Sequence, residues 1–477
     1  MIALSLAEIT AIVNGRLVAA RGDDGQTVVS GLVDTDSRQI GPGDVFVAKP
    51  GEHSDGHFFV SAAVELGAVL AIVERVVDAD VSQIVVDDVL DAIAALARAV
   101  VASVRERGAL RVVGITGSNG KTTTKNLIAR ILSDEGETVA PRASLNNEVG
   151  APLTMLRVTN DTRFLVSELS ARGQGEFTSL SGVIGGLAAL IEPDVGVVLM
   201  VGKAHAGGEG GLEAIAAAKA ELVERIQRGG VAVLNADDPR VAAMAAIAAD
   251  RQVRVRWFGR GDGADVRASD IRATAEGTTF TVTADGRSRT LHLRVIGEHH
   301  VGNALAAIAA TTALGVPLDA AVDRLATVEI AERWRMQPMG SASVRIINDA
   351  YNASPDSVAA ALRTLAQITG SDQRTVAVLG AMSELGEFAG EEHDRIGELA
   401  VRLRIQRIVV VGEDARRIYL AAVAEGSWSS EAVFFGTVDE AYDYLVGELR
   451  DGDRVIVKSS NAAGLRVLGD RLGGHFS

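Results

Sequence analysis

The chain has 477 residues, 47% hydrophobic and 23% charged, with a formal net charge of −15. That balance suits a soluble, well-cored protein of about three domains at roughly 150 residues each, and so acidic a chain repels polyanions, which excludes nucleic acid as a general partner. It contains no cysteine, so disulfides, thiolate nucleophiles and cysteine-ligated zinc are excluded as well.

From the start, "MIALSLAEITAIVNGRL" meets Glu8 before any basic residue, so no secretory leader is expected. "AVLAIVE" (68–74) and "QIVVDD" (83–88) predict buried strands, and "VLDAIAALARAVVASVRERG" (89–108) predicts a helix ended by a glycine. A first domain is therefore expected over residues 1–107. In residues 108–336, "RVVGIT", "RFLVSEL", "VGVVLMVG" and "VAVLN" predict buried strands separated by helical stretches, the pattern of a parallel α/β sheet. The apolar stretch 182–201 is cut by Glu192, Pro193 and Asp194, so it is not a membrane span, and a cytoplasmic location is expected. "AAMAAIAAD" predicts a buried helix, "GRGDGAD" (259–265) a surface loop, and "TTFTVTADGRSRTLHLRVIG" a hairpin turning at Asp285 and Gly286. Residues 337–477 hold five apolar strands, "VRIIND", "TVAVLG", "RIVVVG", "AVFFG" and "RVIVKSS", in the rhythm of an open doubly wound sheet.

The chemistry concentrates at "GITGSNGKTTTKN", residues 114–126. A strand leads into a glycine-rich turn and a helix follows, so backbone N–H groups of Gly117, Ser118, Asn119 and Gly120 are expected to cradle phosphate oxygens at a positive helix N-terminus. Lys121 would reach the β- and γ-phosphates, Thr122 would ligate Mg²⁺, and Thr123 belongs to the same loop. The strict pattern asks for glycine at 115, where Ile115 stands. Glu168 ends a predicted strand, where carboxylates face the ligand crevice of open α/β sheets. His205 lies in a glycine-rich loop. Lys219 stands mid-helix in "LEAIAAAKAELVERIQRGG", which unaided reads as a solvated lysine.

"TGSNGKTTTK" is the form this loop takes in the Mur ligases, the ATP-dependent amide-forming enzymes of peptidoglycan synthesis, and the chain resembles that family over nearly its whole length. The motifs that carry the resemblance are "DSRQIGPGDVFVAKPGEHSDGHFF", "SLNNEVGAPLTML", "SELSARGQGEF", "VGKAHAGGEGGLEAIAAAKAELV", "LNADDPRV", "GEHHVGNALAA", "INDAYNASPDS" and "AVLGAMSELGEFAGEEHDRIG". Within the family, "NNEVGAPLT", "DAYNASPDS" and "LGAMSELGEFAGEEH" resemble the branch that adds D-alanyl-D-alanine to UDP-N-acetylmuramoyl-tripeptide. The resemblance implies a three-domain α/β architecture: an N-terminal UDP-binding domain, a central P-loop ATPase-like parallel sheet and a C-terminal Rossmann-like domain. It implies ATP and Mg²⁺, with Glu168, His205 and a carbamylated, CO₂-derived Lys219 as metal ligands. It implies ATP contacts from Asn303, Arg335, Asp349, Tyr351 and Asn352, and substrate contacts from Ser37, Arg38, Asn146 and Asn147. A monomer acting on UDP-muramoyl-tripeptide and D-alanyl-D-alanine, with no membrane or nucleic acid partner, is the expectation. A third-residue-adding Mur ligase, folylpolyglutamate synthase and a non-catalytic nucleotide-binding scaffold are the alternatives.

Overall fold

The structure is a computed structural model that describes residues 1–20, 25–51, 54–108, 110–141, 146–170, 187–202, 211–328, 333–426 and 431–477. It holds three α/β units, each built on its own sheet. The first has five strands in the order Arg16–Val18, Ser82–Val85, Leu70–Val73, Val45–Val47, Val33–Asp34, parallel except at the Arg16–Val18 edge. The helix Val89–Glu106 follows. Asp88 caps it by accepting from the N–H groups of Leu90 and Asp91, which satisfies two of the donors a helix start leaves free. Its buried side chains, including Val89, Ile93, Leu96, Val100 and Val104, recur at helical spacing. They join one apolar cluster that runs from Met1 to the central sheet residues Val112 and Leu165, so this helix is shared by the first two units.

The central sheet has nine strands. Its order is Arg287–Leu293, Gly277–Ala284, Val266–Thr274, Arg254–Gly259, Val231–Asn235, Val195–Val198, Arg111–Thr116, Thr162–Glu168, Glu137–Val139. Only the first three meet antiparallel, as two hairpin pairings. Side chains alternate between its faces: Val112 packs with the first unit, while Val113 and Ile115 pack under the helices Lys121–Leu132 and His299–Ala313. The Asp285–Gly286 turn has both residues at positive φ (51° and 75°), the geometry of a tight two-residue hairpin.

The third sheet, in the order Gln337–Gly340, Arg345–Asn348, Asp453–Lys458, Arg374–Leu379, Arg407–Val411, Ala432–Phe435, is parallel except for its first strand. Ile347, Ala377 and Ile456 face one apolar cluster, and Ile346, Val376 and Val455 the other, so both faces are covered. Two expectations are corrected. "AAMAAIAAD" lies in two short helices, Pro239–Ala243 and Ala245–Asp250, and only part of it is buried. The "VGVVLMVG" strand ends at Val198, because the following residues turn toward the phosphate loop.

Candidate active site

The strand Arg111–Thr116 lies between Thr162–Glu168 and Val195–Val198, with Ile115 in register with both Glu168 and Val197. The chain winds to one side of this strand and then the other, and the crevice beyond the carboxyl ends of the strands at such a reversal is where open α/β sheets bind ligands. Ile115 is a fully buried strand residue, so the turn starts later than the strict phosphate-loop pattern places it. Gly120 has φ +83°, and a Cβ there would sit 2.3 Å from Asn303 Oδ1. Only glycine fits both constraints. The helix Lys121–Leu132 starts immediately, and no side chain among the described residues caps it, so its first N–H groups point to the cleft. Ser118 braces the loop from behind: its N–H donates to Met200 O (2.9 Å), and its hydroxyl exchanges hydrogen bonds with the Gly202 backbone.

A cavity of about 790 Å³ opens here, walled by the central and third units together. Lys121 Nζ donates to Gly117 O at 2.7 Å, leaving two of its three protons for the cleft. Burial lowers the Lys121 pKa, the Glu168 carboxylate opposes that shift, and the Arg335 guanidinium adds to it. Glu168 is 1% exposed. Its Oε1 accepts from Asn146 Nδ2 (2.8 Å) and Thr122 Oγ1 (3.3 Å), while its Oε2 is buried with no hydrogen-bond partner among the described residues. An orphaned, buried carboxylate oxygen beside a threonine hydroxyl at a phosphate loop is the donor set a hard, oxygen-preferring cation takes, so these residues fit Mg²⁺.

Lys219, in the helix Gly211–Glu224, is 5% exposed, so the solvated-lysine reading is wrong. Burial, with the nearby Lys121 charge, pushes its pKa down to about 7, and no carboxylate among the described residues pairs with it.

The opposite wall is made by the third unit and the segment that leads into it. Arg335 lies over the Tyr351 ring, 4.1 Å from its centroid, with a guanidinium nitrogen 3.4 Å from Thr122 Oγ1. Both its chain neighbours, Trp334 (φ 63°) and Met336 (φ 47°), are left-handed, a state costing about 1–3 kcal/mol for a non-glycine residue. Asp349 follows the strand Arg345–Asn348. It accepts from the Met336 N–H (3.0 Å) and pairs with Lys458 at 2.7 Å, and Lys458 also donates to Asn352 O (2.8 Å). Ser354, capping the helix Pro355–Ile368, donates to Asn119 Oδ1 (3.1 Å) and so ties this unit to the phosphate loop.

Three family descriptions match the chain in order: the Mur ligase family catalytic domain over residues 31–110, the Mur ligase middle domain over 115–311 and the Mur ligase glutamate ligase domain over 334–461. The UDP-N-acetylmuramoyl-tripeptide–D-alanyl-D-alanine ligase of Mycobacterium tuberculosis H37Rv is 41% identical over 512 residues, covering 99% of this chain and 98% of the relative. The chain belongs to the Mur ligase family. A crystal structure of MurF from Acinetobacter baumannii superposes with a TM-score of 0.87 at 31% identity, covering 99% of each chain. MurF from Thermotoga maritima in complex with ADP gives 0.78 at 27% identity, covering 94% of this chain and 99% of that one.

Of the site residues expected of a Mur ligase, Ser118, Asn119, Gly120, Lys121, Thr122, Thr123, Asn146, Asn147, Glu168, Asn303, Arg335, Asp349, Tyr351 and Asn352 line the one cavity. Gly117 lies just behind it, at the end of the strand. Lys219 is buried near Lys121 without lining the cavity. Ser37 and Arg38 sit apart, on a short turn of the first unit. There Asp36 caps the turn, and Arg38, 84% exposed, pairs with Asp36 at 2.8 Å. His205 lies outside the described residues.

Sequence reasoning passed over His299, His300 and Lys458, which also line the cavity. Burial, with the Lys458 charge adding to it and Asp349 opposing, lowers His299 to about 4. Burial, with His299, Arg335 and Lys458 adding to it, holds His300 well below the usual imidazole value. Both stay neutral near pH 7. His299 and His300 open a helix, and Lys458 ends a strand, positions that helix-start and strand-end rules would have singled out.

Proposed function

We propose that this Mur ligase joins D-alanyl-D-alanine to UDP-N-acetylmuramoyl-tripeptide, with ATP converted to ADP and phosphate. The observation that carries the reading is the convergence, in one cleft, of a phosphate loop, the Lys121 side chain, the Arg335 guanidinium and a buried carboxylate whose second oxygen has no partner among the described residues. The identity to the mycobacterial ligase supports the choice of substrates.

Amide formation from a free carboxylate is uphill in water, so the carboxylate must be activated. The terminal carboxylate oxygen of the tripeptide attacks the γ-phosphorus, the bond to ADP breaks, and an acyl phosphate forms. The dipeptide amine then adds to the acyl carbon, loses a proton, and expels phosphate. Phosphoryl transfer of this kind needs positioning and charge neutralisation more than covalent help. The loop N–H groups, Lys121 and Arg335 hold the phosphates, and Asn303, Asp349, Tyr351 and Asn352 hold the nucleoside. Mg²⁺ would be held by Thr122, Glu168, His205 and carbamylated Lys219, and when bound it neutralises charge on the transferring phosphate. An amine with a pKa of about 7 is half neutral at neutral pH, and the neutral form is the one that adds CO₂. Ser37 and Arg38 contact the uridine nucleotide, and Asn146 and Asn147 the muramoyl part. The units divide at 107/108 and 336/337, for the UDP moiety, ATP and dipeptide in turn. The enzyme works as a cytoplasmic monomer.

The test is ADP release measured across substrate pairs. It is expected only with UDP-muramoyl-tripeptide and D-alanyl-D-alanine together. Faster release with UDP-muramoyl-dipeptide and a diamino acid would reassign the chain to the third-residue-adding branch.

A further inference from the structure

Arg335 reaches the phosphate side of the cleft from a backbone that no local preference favours, since both its neighbours are left-handed L-residues. Something must hold that shape. The backbone is pinned on three sides: Trp334 N–H donates to Gln337 Oε1 (2.9 Å), Trp334 O accepts from Tyr351 N–H (3.0 Å), and Met336 N–H donates to Asp349 Oδ1 (3.0 Å). The indole is fixed separately. Its Nε1–H donates to both oxygens of Asp470, at 2.9 and 3.1 Å, and Asp470 stands on the last helix, Leu465–His475. The Arg333 and Arg466 guanidiniums lie 4.8 and 5.0 Å from the indole centroid, and Arg333 also pairs with Asp470 at 3.0 Å. Asp470 in turn accepts from Asn348 Nδ2 at 3.0 Å, one residue before Asp349.

We propose that Trp334 and Asp470 are positioning residues for Arg335: the last helix of the chain clamps the indole, and the clamp holds the strained segment that aims the guanidinium at the phosphates. The proposal rests on the reading that Arg335 acts on the nucleotide. A left-handed tryptophan is costly by itself, and an aromatic side chain anchored at both its N–H and its ring is what offsets that cost here. A glycine at 334 would adopt the same φ without penalty but would leave nothing for Asp470 and the two arginines to grip.

Trp334→Gly therefore separates backbone from anchor. The expected result is a folded enzyme with kcat for ADP release down about ten- to a hundredfold, as misplacement of a charged group by an ångström can cause, and with the KM for D-alanyl-D-alanine changed less than about twofold. Asp470→Asn, which keeps one acceptor oxygen for the indole, should retain most of the activity that Asp470→Ala loses. In an Arg335→Lys background the added effect of Trp334→Gly should shrink to less than about threefold, because residues acting through one group are not additive. ADP affinity by calorimetry gives the same readout for variants too slow to assay. If Trp334→Gly does not fold, Trp334→Phe, which loses the N–H and part of the ring but keeps an aromatic face, carries the test. Wild-type kinetics in Trp334→Gly, or an undiminished effect in the Arg335→Lys background, overturns the clamp alone. Wild-type kinetics and ADP affinity in Arg335→Ala overturns the role of Arg335 and the clamp with it.

Discussion

Lys121 opens one helix of the central unit, and Lys219 stands in the middle of another. Burial lowers the pKa of both, yet their surroundings send them to different chemistry. Lys121 has the Glu168 carboxylate nearby, which favours the charged form and opposes the lowering by burial. Among the described residues Lys219 has the like charge of Lys121 and no carboxylate partner, and burial with that charge lowers its pKa to about 7. The difference teaches that Lys121 has a carboxylate that opposes the cost of its burial, whereas Lys219 has none among the described residues. Burial is the larger cause of the fall at Lys219, and repulsion from the Lys121 charge adds to it.

Removing the cation is the harshest way to break this contrast. Lys121→Ala should fold normally and lose roughly 3–4 kcal/mol of transition-state stabilisation, about 10²–10³ in kcat. Steady-state ADP release beside a melting curve checks both halves. Near-normal turnover would remove Lys121 from the phosphate site.

A smaller effect sharpens the other side. The proposed carbamate would make Lys219 an anion, so Lys219→Glu should keep about tenfold more activity than Lys219→Arg, and acetate should partly restore Lys219→Ala. Equal activity of the Glu and Arg variants would contradict an anionic role.

The smallest effect is thermodynamic. The folded pKa of Lys219 lies below its unfolded value of 10.5, so the folded state binds fewer protons between about pH 7 and 10.5, and stability rises with pH through that window. Below about pH 7 the full cost of burying the charge is present. In chelated, CO₂-free buffer Lys219→Met should therefore be more stable than the wild type near pH 6, with the gain shrinking as pH rises and vanishing only above about pH 10.5. A pH-independent difference in denaturant midpoints would refute the buried ammonium.

The same contrast explains what was legible in the sequence. The loop around Lys121 is written in consecutive residues, since glycines, lysine and helix start are local requirements, and the Asp285–Gly286 hairpin obeys a two-residue rule. The parallel strands were visible as apolar runs because both sheet faces are covered. The family resemblance singled out Lys219, but its burial was hidden, because its helix pattern alone suits solvent. The Gln337–Gly340 edge strand, "QPMG", has no strand-like composition and exists because Arg345–Asn348 offers it a free edge. Glu168 was placed by a strand-end rule. Lys458 follows the same rule but was passed over, because its partner Asp349 lies more than a hundred residues upstream.

The central claim is that ATP activates a carboxylate, and the fate of one oxygen tests it. UDP-muramoyl-tripeptide labelled with ¹⁸O in its terminal carboxylate is turned over with ATP and D-alanyl-D-alanine, and the released phosphate is read by mass spectrometry. An acyl phosphate hands one carboxylate oxygen to the phosphate, so each phosphate released should carry one ¹⁸O. Unlabelled phosphate, formed at the same rate as the amide, would contradict the mechanism.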